Sequence, residues 1–258
     1  MCRSITLASL ALLAAAPTLS QTAPAGHQAA ARSYRALDDI RWSYDEETSS
    51  GRSTNQLRFT RDGMNTSFGS DEARRLMGEL ATASLANPGE AVTFSVVREA
   101  GALACSGRVE RQGHASGQCH FDPDERFTSA LAGRGLPPED SDEVLSLALV
   151  DAHIASVDGL VAQGYRFEKA DDLVAVAALD VTPAYAGELR DAGLKVGELD
   201  DLVAAKALKV DAGWLREMAQ AGYPHLEFDR AIQMRALGVT PDYAMKMARV
   251  LRAVGEIE

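Results

Sequence analysis

The chain has 258 residues, of which 46% are hydrophobic, and this is sufficient for one or two hydrophobic cores. It carries 26 lysine and arginine residues against 37 aspartate and glutamate residues, which gives a formal net charge of −11 at pH 7. An acidic chain without a cluster of basic residues is poorly suited to bind nucleic acid or an anionic membrane surface, so we expect neither as a partner.

The first 20 residues have the pattern of a secretory signal peptide. Arg3 precedes an apolar run over residues 5–16, and small residues follow this run. The run is too short for a comfortable transmembrane span, and an uncleaved anchor is the alternative interpretation. We place the cleavage after Ser20, with Ala23 or Ala25 as the alternative. The sequence therefore predicts a bacterial protein that is periplasmic or secreted, without stable membrane insertion after signal cleavage.

Residues 21–34 are rich in alanine and contain Pro24 and Gly26, a composition that predicts a disordered linker. From residue 35 to residue 121 polar and apolar residues alternate over short segments, which predicts a small β-rich domain. One segment, Ser70–Ala83, interrupts the strands with apolar residues at helical spacing, and we expect Ser70 to be its N-cap.

Cys105 and Cys119 lie at equal distances from Gln112, where we predict the three-residue turn of a β-hairpin. Pairing about that turn places the two cysteines directly opposite each other. In an exported protein we expect such a pair to form a disulfide, and two buried free thiols are the alternative. Metal binding is less favoured, because strand alternation points His114 and His120 away from the cysteine side.

From residue 122 to residue 258 the sequence repeats itself with a period of about 29 residues. Each unit has a bulky residue eight positions before a glycine. The glycines are Gly135, Gly164, Gly193 and Gly222, and the residues eight positions before them are Phe127, Ser156, Tyr185 and Trp214, of which only Ser156 is not bulky. The last, partial copy keeps the bulky residue as Tyr243 but has Leu251 in place of the glycine. The pattern predicts two short helices per unit, which are marginal alone and must bury their apolar stripes against neighbouring units.

Local signals place the ends of these helices. Thr182 before Pro183 is the pattern of an N-cap followed by the first helical residue. Gly193 followed by Leu194 predicts a Schellman ending. We expect four full units and a last helix from about Val239 that forms a polar-ended cap. The predicted fold class is α+β: a small β-rich N-terminal domain with one helix, followed by an array of α-helical hairpins.

The clearest copies of the unit are VTPAYAGELRDAGL and VTPDYAMKMARV. They resemble tandem repeats of the form GVTPEYVRELRALGY…LSADDLVALRIH, which occur in exported bacterial proteins. Such repeats also occur in the extracytoplasmic tails of some membrane metallopeptidase sensors of the β-lactam-resistance regulator class. The hairpin GALACSGRVERQGHASGQCHF resembles the segment before those repeats. The resemblance covers roughly residues 90–258 and implies an exported repeat protein with a role in sensing or regulation.

The chain departs from that pattern in two columns. The serine that precedes the DDL motif is replaced by Lys169, Glu198 and Glu227, and Asp140 in the first unit is the one residue there that could cap. The basic residue of the pattern is retained as Lys206 and Arg235, whereas the two earlier units have alanine. If the binding surface uses this column, Lys206 and Arg235 are the expected partner contacts.

The sequence offers no recognisable catalytic residue, cofactor site or metal site. The HExxH motif, the Gly-x-Ser-x-Gly elbow and glycine-rich phosphate loops do not occur in it. Acidic pairs such as Asp171–Asp172 stand at helix starts, where negative charge complements the helix dipole, so a structural role is favoured. We predict a non-enzymatic, cofactor-free protein that binds an unknown protein partner. An accessory or sensor module in envelope or cell-wall stress regulation is the first alternative, and a hydrolase is the second.

Overall fold

The chain folds as an α+β protein, with an antiparallel sheet in its N-terminal half and short helices in its C-terminal half. The computed structural model describes residues 33–49 and 52–253, and for residues 47–49, 52–54, 80 and 251–253 it describes the backbone alone. The predicted signal peptide and most of the predicted linker lie outside the described residues. The α+β class predicted from the sequence is confirmed.

Six strands form one sheet in which neighbouring strands are antiparallel. The strands are β1 (Leu37–Ser49), β2 (Arg52–Arg61), β3 (Met64–Phe68), β4 (Ala91–Arg98), β5 (Gly101–Arg111) and β6 (His114–Pro123). Their order is β3-β2-β1-β6-β5-β4, so β3 and β4 form the edges. Apolar residues alternate along the strands and bury one face, whose largest side chains are Ile40, Trp42, Tyr44, Phe59, Leu103 and Phe121.

Strands β5 and β6 form the hairpin predicted around Gln112. The ladder pairs Cys105 with Cys119, their Cα atoms are 4.0 Å apart, and a disulfide joins them as predicted. The turn has two residues instead of the expected three, because Arg111 pairs directly with His114. An irregularity between Val109 and Arg111 absorbs the extra residue, so the rest of the ladder keeps the register that aligns the cysteines.

Helix α1 (Ser70–Ser84) contacts β2 and β4. Its buried face is the one that helical spacing predicts and includes Ala73, Leu76 and Met77. The prediction that Ser70 caps the helix is wrong, since Gly69 holds the N-cap position without a side-chain cap. The Ser70 hydroxyl instead accepts a hydrogen bond from the backbone N–H of Asn55 at 2.9 Å. The serine therefore ties α1 to β2.

Nine helices follow β6 among the residues that the structure describes. They are α2 (Glu125–Gly133), α3 (Ser141–Leu149), α4 (Ile154–Val161), α5 (Ala170–Ala178), α6 (Pro183–Asp191), α7 (Leu199–Ala207), α8 (Ala212–Gln220), α9 (Phe228–Ala236) and α10 (Pro241–Ala253). The even-numbered helices from α2 begin 29 residues apart, and so do the odd-numbered helices from α3. In space α2, α4, α6, α8 and α10 form a row in which each contacts the next, and α3 contacts α5.

Membrane-span criteria give a mixed result within the described ranges. No single helix there is long and apolar enough to cross a bilayer, and the pair α3 and α4, bent by 85°, meets the length and composition criteria only when taken together.

Side-chain caps begin several of these helices where the sequence predicts them. The Thr182 hydroxyl accepts a hydrogen bond from a backbone N–H in the first turn of α6 at 3.1 Å. The carboxylates of Asp124, Asp140 and Asp211 cap α2, α3 and α8 in the same way. His153 makes no capping hydrogen bond for α4, in agreement with its expected weakness as a cap.

The helices from α2 to α9 are each followed by a residue with left-handed backbone conformation. After the even-numbered helices this residue is a glycine, as predicted. The N–H of Leu194, which follows Gly193, donates to the carbonyl of Leu189 at 3.0 Å, and this bond defines the predicted Schellman ending. After α3, α5 and α7 the left-handed residues are Asp151, Asp180 and Lys209, with φ of 57°, 52° and 58°. The sequence pattern did not predict these three endings.

The last described helix, α10, continues to Ala253 as predicted. The exposed side of α10 is only partly polar, because Tyr243, Met247 and Val250 are exposed there beside Asp242, Lys246 and Arg249. This exposure arises because α10 has bulky apolar residues at the same positions as those that the preceding even-numbered helices bury.

Polar and apolar contacts join the sheet to the first helix pair. The buried Arg61 guanidinium donates to Asp39 at 2.8 Å and also to Asp142 at the start of α3. Helix α3 itself contacts β5 and β6. One continuous cluster of buried residues extends from the sheet into the helices, and the described residues from Ser33 onward belong to one compact unit.

Candidate partner-binding surface

Lys206, the first of the two residues predicted to contact a partner, lies near the end of α7 and reaches back over α6. Its ammonium nitrogen is 4.6 Å from the centroid of the Tyr185 ring and 3.8 Å from the carboxylate of Asp180. Both neighbours stabilise the positive charge within the chain. The side chain stays partly exposed, so a partner could reach its edge.

Arg235 makes an equivalent arrangement one repeat period later, at the end of α9. Its guanidinium carbon is 5.0 Å from the centroid of the Trp214 ring. One of its terminal nitrogens donates to the carbonyl of Lys209 and lies 3.9 Å from the carboxylate of Asp211. Both predicted contact residues thus connect helices within the C-terminal half, and their use by a partner stays a prediction.

The ring beneath Lys206 is itself held in place. The Tyr185 hydroxyl donates to the carbonyl of Val210 at 2.6 Å, which links α6 to the loop before α8. Burial raises the pKa of this phenol above its ordinary value, and the negative charge of Asp211 raises it further. Tyr185 therefore keeps its proton near neutral pH and acts as a hydrogen-bond donor, not as an acid–base group.

A groove of about 310 Å³ lies between the loop after α4 and the loop after α6. Its charged lining consists of Glu168, Asp172, Glu198 and Asp200 together with Arg166. Negative charge therefore predominates, and Glu198 and Asp200 present it to solvent because both side chains are exposed. Such a groove attracts positively charged groups.

One of these carboxylates has a structural task. Asp172 accepts hydrogen bonds from the backbone N–H groups of Glu168 and Lys169, at 2.7 and 3.1 Å, and so closes the first turn of α5. For Asp172 this agrees with the structural role expected from the sequence. Glu198 makes no side-chain cap for α7, so its charge is not committed to a helix end in the same way.

Comparisons with known proteins do not identify a family. No protein-family model matches the chain, no curated protein matches its sequence, and no solved structure matches its fold. The resemblance to exported repeat proteins therefore rests on the sequence pattern alone.

Histidines pair with carboxylates on the sheet and form no metal centre there. No group of three or more histidine, cysteine, aspartate or glutamate residues suited to a metal ion occurs within residues 33–49 and 52–253. His114 Nδ1 is 2.8 Å from the carboxylate of Asp45, and His120 lies between Asp38 and Asp122. Hydrogen bonds to Asp38 first, and then to Asp122, raise the pKa of His120 above its ordinary value. The pairs with Asp45 and Asp38 link β6 to β1.

Sequence reasoning missed the cation–π contacts, although a signal for them was present. In both pairs the ring precedes the basic residue by the same number of positions, as Tyr185 precedes Lys206 and Trp214 precedes Arg235. The acidic groove was missed as well, because its lining comes from two loops whose approach depends on how α4 and α6 pack together.

Proposed function

We propose that the C-terminal half is a tandem array of helix pairs, each one repeat period long, and that it binds a protein partner without catalysing a reaction. The regular helix starts, the row of contacts from α2 to α10 and the recurring left-handed endings support this proposal. Arrays of this kind present equivalent loops side by side along one extended surface. The observation that carries the proposal is the acidic groove between two successive loops of that surface.

The partner that fits this groove carries a basic segment. Glu198 and Asp200 stand at the start of α7 and are exposed, so they can face lysine or arginine side chains without first breaking a helix cap. Opposite charges across an interface speed association and exclude wrongly charged partners. The net charge of −11 acts in the same direction. Because exposed charges are screened by ions, binding is expected to weaken as salt increases.

In this proposal the sheet anchors the array. Arg61 holds the start of α3, and the Tyr34 hydroxyl donates to the carbonyl of Pro138 at 2.7 Å in the loop before it. The Cys105–Cys119 disulfide supports an oxidising compartment, as expected for a protein exported by a signal peptide. The proposed location is therefore the bacterial periplasm or the extracellular medium.

Charge reversal in the groove tests the proposal. The variant Glu198→Lys/Asp200→Lys reverses two groove charges. The matched control, Glu227→Lys/Asp229→Lys, makes the same changes one repeat period later, at residues that do not line the groove. Fluorescence anisotropy with a lysine- and arginine-rich peptide library measures binding at low and moderate salt. We expect the groove variant to lose about tenfold or more in affinity, which corresponds to about 1.4 kcal/mol, and the control to lose much less.

Three results would each contradict a part of the proposal. Equal losses in the groove variant and the control would assign the effect to net charge alone, and absence of peptide binding by the unaltered protein at low salt would remove the groove as a site. Hydrolysis of ester, peptide or glycan substrates by the purified protein would contradict the non-enzymatic part.

A further inference from the structure

Helix α10 exposes apolar side chains at positions that the preceding even-numbered helices bury. Met247 is 37% exposed, whereas Met218, at the equivalent position of α8, is fully buried. Tyr243 is 55% exposed, whereas the equivalent Trp214 is 5% exposed. Val250 adds a third exposed apolar residue one turn further on. Because they are spaced four and three residues apart, Tyr243, Met247 and Val250 form one stripe, called here the α10 stripe.

The exposure does not arise from a helix that has separated from its neighbours. Helix α10 contacts α8, and Ala244 on its inner face is 2% exposed. The backbone N–H of Ala244 donates to the carbonyl of Thr240 at 3.0 Å, and the Thr240 hydroxyl accepts from the N–H of Tyr243 at 3.2 Å. The helix is therefore capped and seated, and the α10 stripe is its outer face.

Within the chain, the helices that follow cover the equivalent positions. Lys206 at the end of α7 lies over Tyr185 of α6, and Arg235 at the end of α9 lies over Trp214 of α8. Each even-numbered helix from α2 to α8 also contacts the next one in the row. The α10 stripe continues this internal interface, so the surface that fits it is a helix with the same spacing of apolar residues.

We propose that the α10 stripe is covered by the α10 stripe of a second copy of this chain, in a two-fold symmetric dimer with antiparallel helices. A head-to-tail contact between copies would need the opposite end of the row to be open. The opposite end of the row is α2, and there Thr128, the equivalent of Ala244, is 4% exposed, so the face that would receive the α10 stripe is already covered. The remaining contact between identical copies is tail to tail, which generates a closed dimer.

The apolar residues of α10 are self-complementary in this arrangement, whereas Lys246, exposed beside Met247, places two like charges near the two-fold axis. Tyr243 and Val250 lie on either side of Met247, so antiparallel helices place each tyrosine against a valine of the other copy, with the methionines near the two-fold axis. Asp242 lies near the start of the helix and Arg249 near its end. The acidic end of one helix thus lies beside the basic end of the other, which favours this orientation over a parallel one.

Sedimentation velocity of the full chain over a range of concentrations tests the dimer. We expect the unaltered protein to reach twice the mass of one chain. Met247→Glu buries two carboxylates near the axis, and we expect it to weaken the dimer about 100-fold, since each copy contributes about tenfold. The matched control is Val161→Glu, at an equally apolar residue on α4 that is 51% exposed, and it should leave the mass unchanged. Circular dichroism confirms that both variants are folded.

A charge exchange tests the antiparallel orientation. Asp242→Arg and Arg249→Asp should each weaken the dimer, and the two changes together should restore it. A single-chain mass at all concentrations, or a dimer that Met247→Glu leaves intact, would overturn the proposal. Lack of restoration by the double exchange would overturn the antiparallel arrangement. Affinity for basic peptides should be the same in Met247→Glu as in the unaltered protein, so this result is independent of the groove.

Discussion

Replacing Lys209 with glycine is expected to stabilise the protein. Lys209 follows α7 with φ of 58°, a conformation in which the Cβ of an ordinary residue comes too close to the following carbonyl oxygen. The bonds of this helix ending come from the backbone, since the N–H of Val210 donates to the carbonyl of Ala205 at 2.9 Å. The lysine side chain is exposed. Glycine therefore removes the steric conflict and keeps the hydrogen bonds.

The size of the effect follows from two opposing free energies. The left-handed conformation costs a residue with a side chain about 1–2 kcal/mol. Glycine avoids this cost, but its greater freedom in the unfolded chain lowers the stability by about 0.5–1 kcal/mol. The difference predicts that Lys209→Gly raises the free energy of unfolding by about 0.5–1 kcal/mol. The chain already has glycine at the equivalent position after α9, where Gly238 has φ of 69°.

Equilibrium unfolding in urea measures this difference, provided that the slope against denaturant is the same in both proteins. The matched control is Lys195→Gly, at an exposed loop residue that does not have a positive φ. There only the entropic cost remains, so we expect a loss of about 0.5–1 kcal/mol. Opposite signs for the two variants support the reasoning. Equal losses would refute it, because Lys209 would then carry no conformational strain that glycine relieves.

Three further changes have defined outcomes. Cys105→Ala/Cys119→Ala opens a cross-link with a sequence separation of 14, and non-reducing urea unfolding should show a loss of about 3 kcal/mol; no loss would contradict the disulfide's stabilising role. Because the folded state raises the pKa of His120, the charged histidine stabilises the fold fully below pH 6.5, its ordinary pKa, and this stabilisation is lost as the pH rises through the folded pKa. His120→Gln should therefore make the free energy of unfolding depend less on pH between pH 5 and 9. Asp124→Ala should lose about 1 kcal/mol by the same assay at pH 7, because it removes the cap of α2. Hydrogen bonds from Arg126 and the backbone lower the pKa of Asp124 from 3.8 to about 2, so its contribution is present above pH 3.8 and disappears as pH falls to 2, which an acid titration checks.

Elements with a local signal could be predicted from the sequence. Thr182 before a proline predicted the start of α6 and Gly193 predicted its end, because each residue acts on the backbone within a few residues. The cysteine pair could be aligned because hairpin register depends on the turn between the strands. The capping prediction for Ser70 failed for the opposite reason, since the N–H of Asn55, 15 residues away, replaced the local capping bond.

Features that depend on contacts between distant segments could not be predicted. Arg61 and Asp142 are 81 residues apart, and nothing in the local pattern connects them. The groove lining comes from two loops that meet only when α4 and α6 pack. The endings at Asp151, Asp180 and Lys209 lack the glycine that normally reports a left-handed residue. There the backbone bonds and apolar packing after the helix, not the residue type, determine the conformation.

The odd-numbered helices differ in whether they carry a basic residue at the position of Lys206 and Arg235, and the difference follows how near each helix lies to the sheet. At this column Ala148 is fully buried, in a helix that contacts β5 and β6, and Ala177 in the next pair is half-buried. A long cationic side chain does not fit at Ala148, because this position is fully buried. Further along the row Lys206 and Arg235 have space to extend over the rings of the preceding helices. Since both cations are engaged inside the chain, we expect the proposed basic partner to bind at the acidic loop groove, where Glu198 and Asp200 remain exposed.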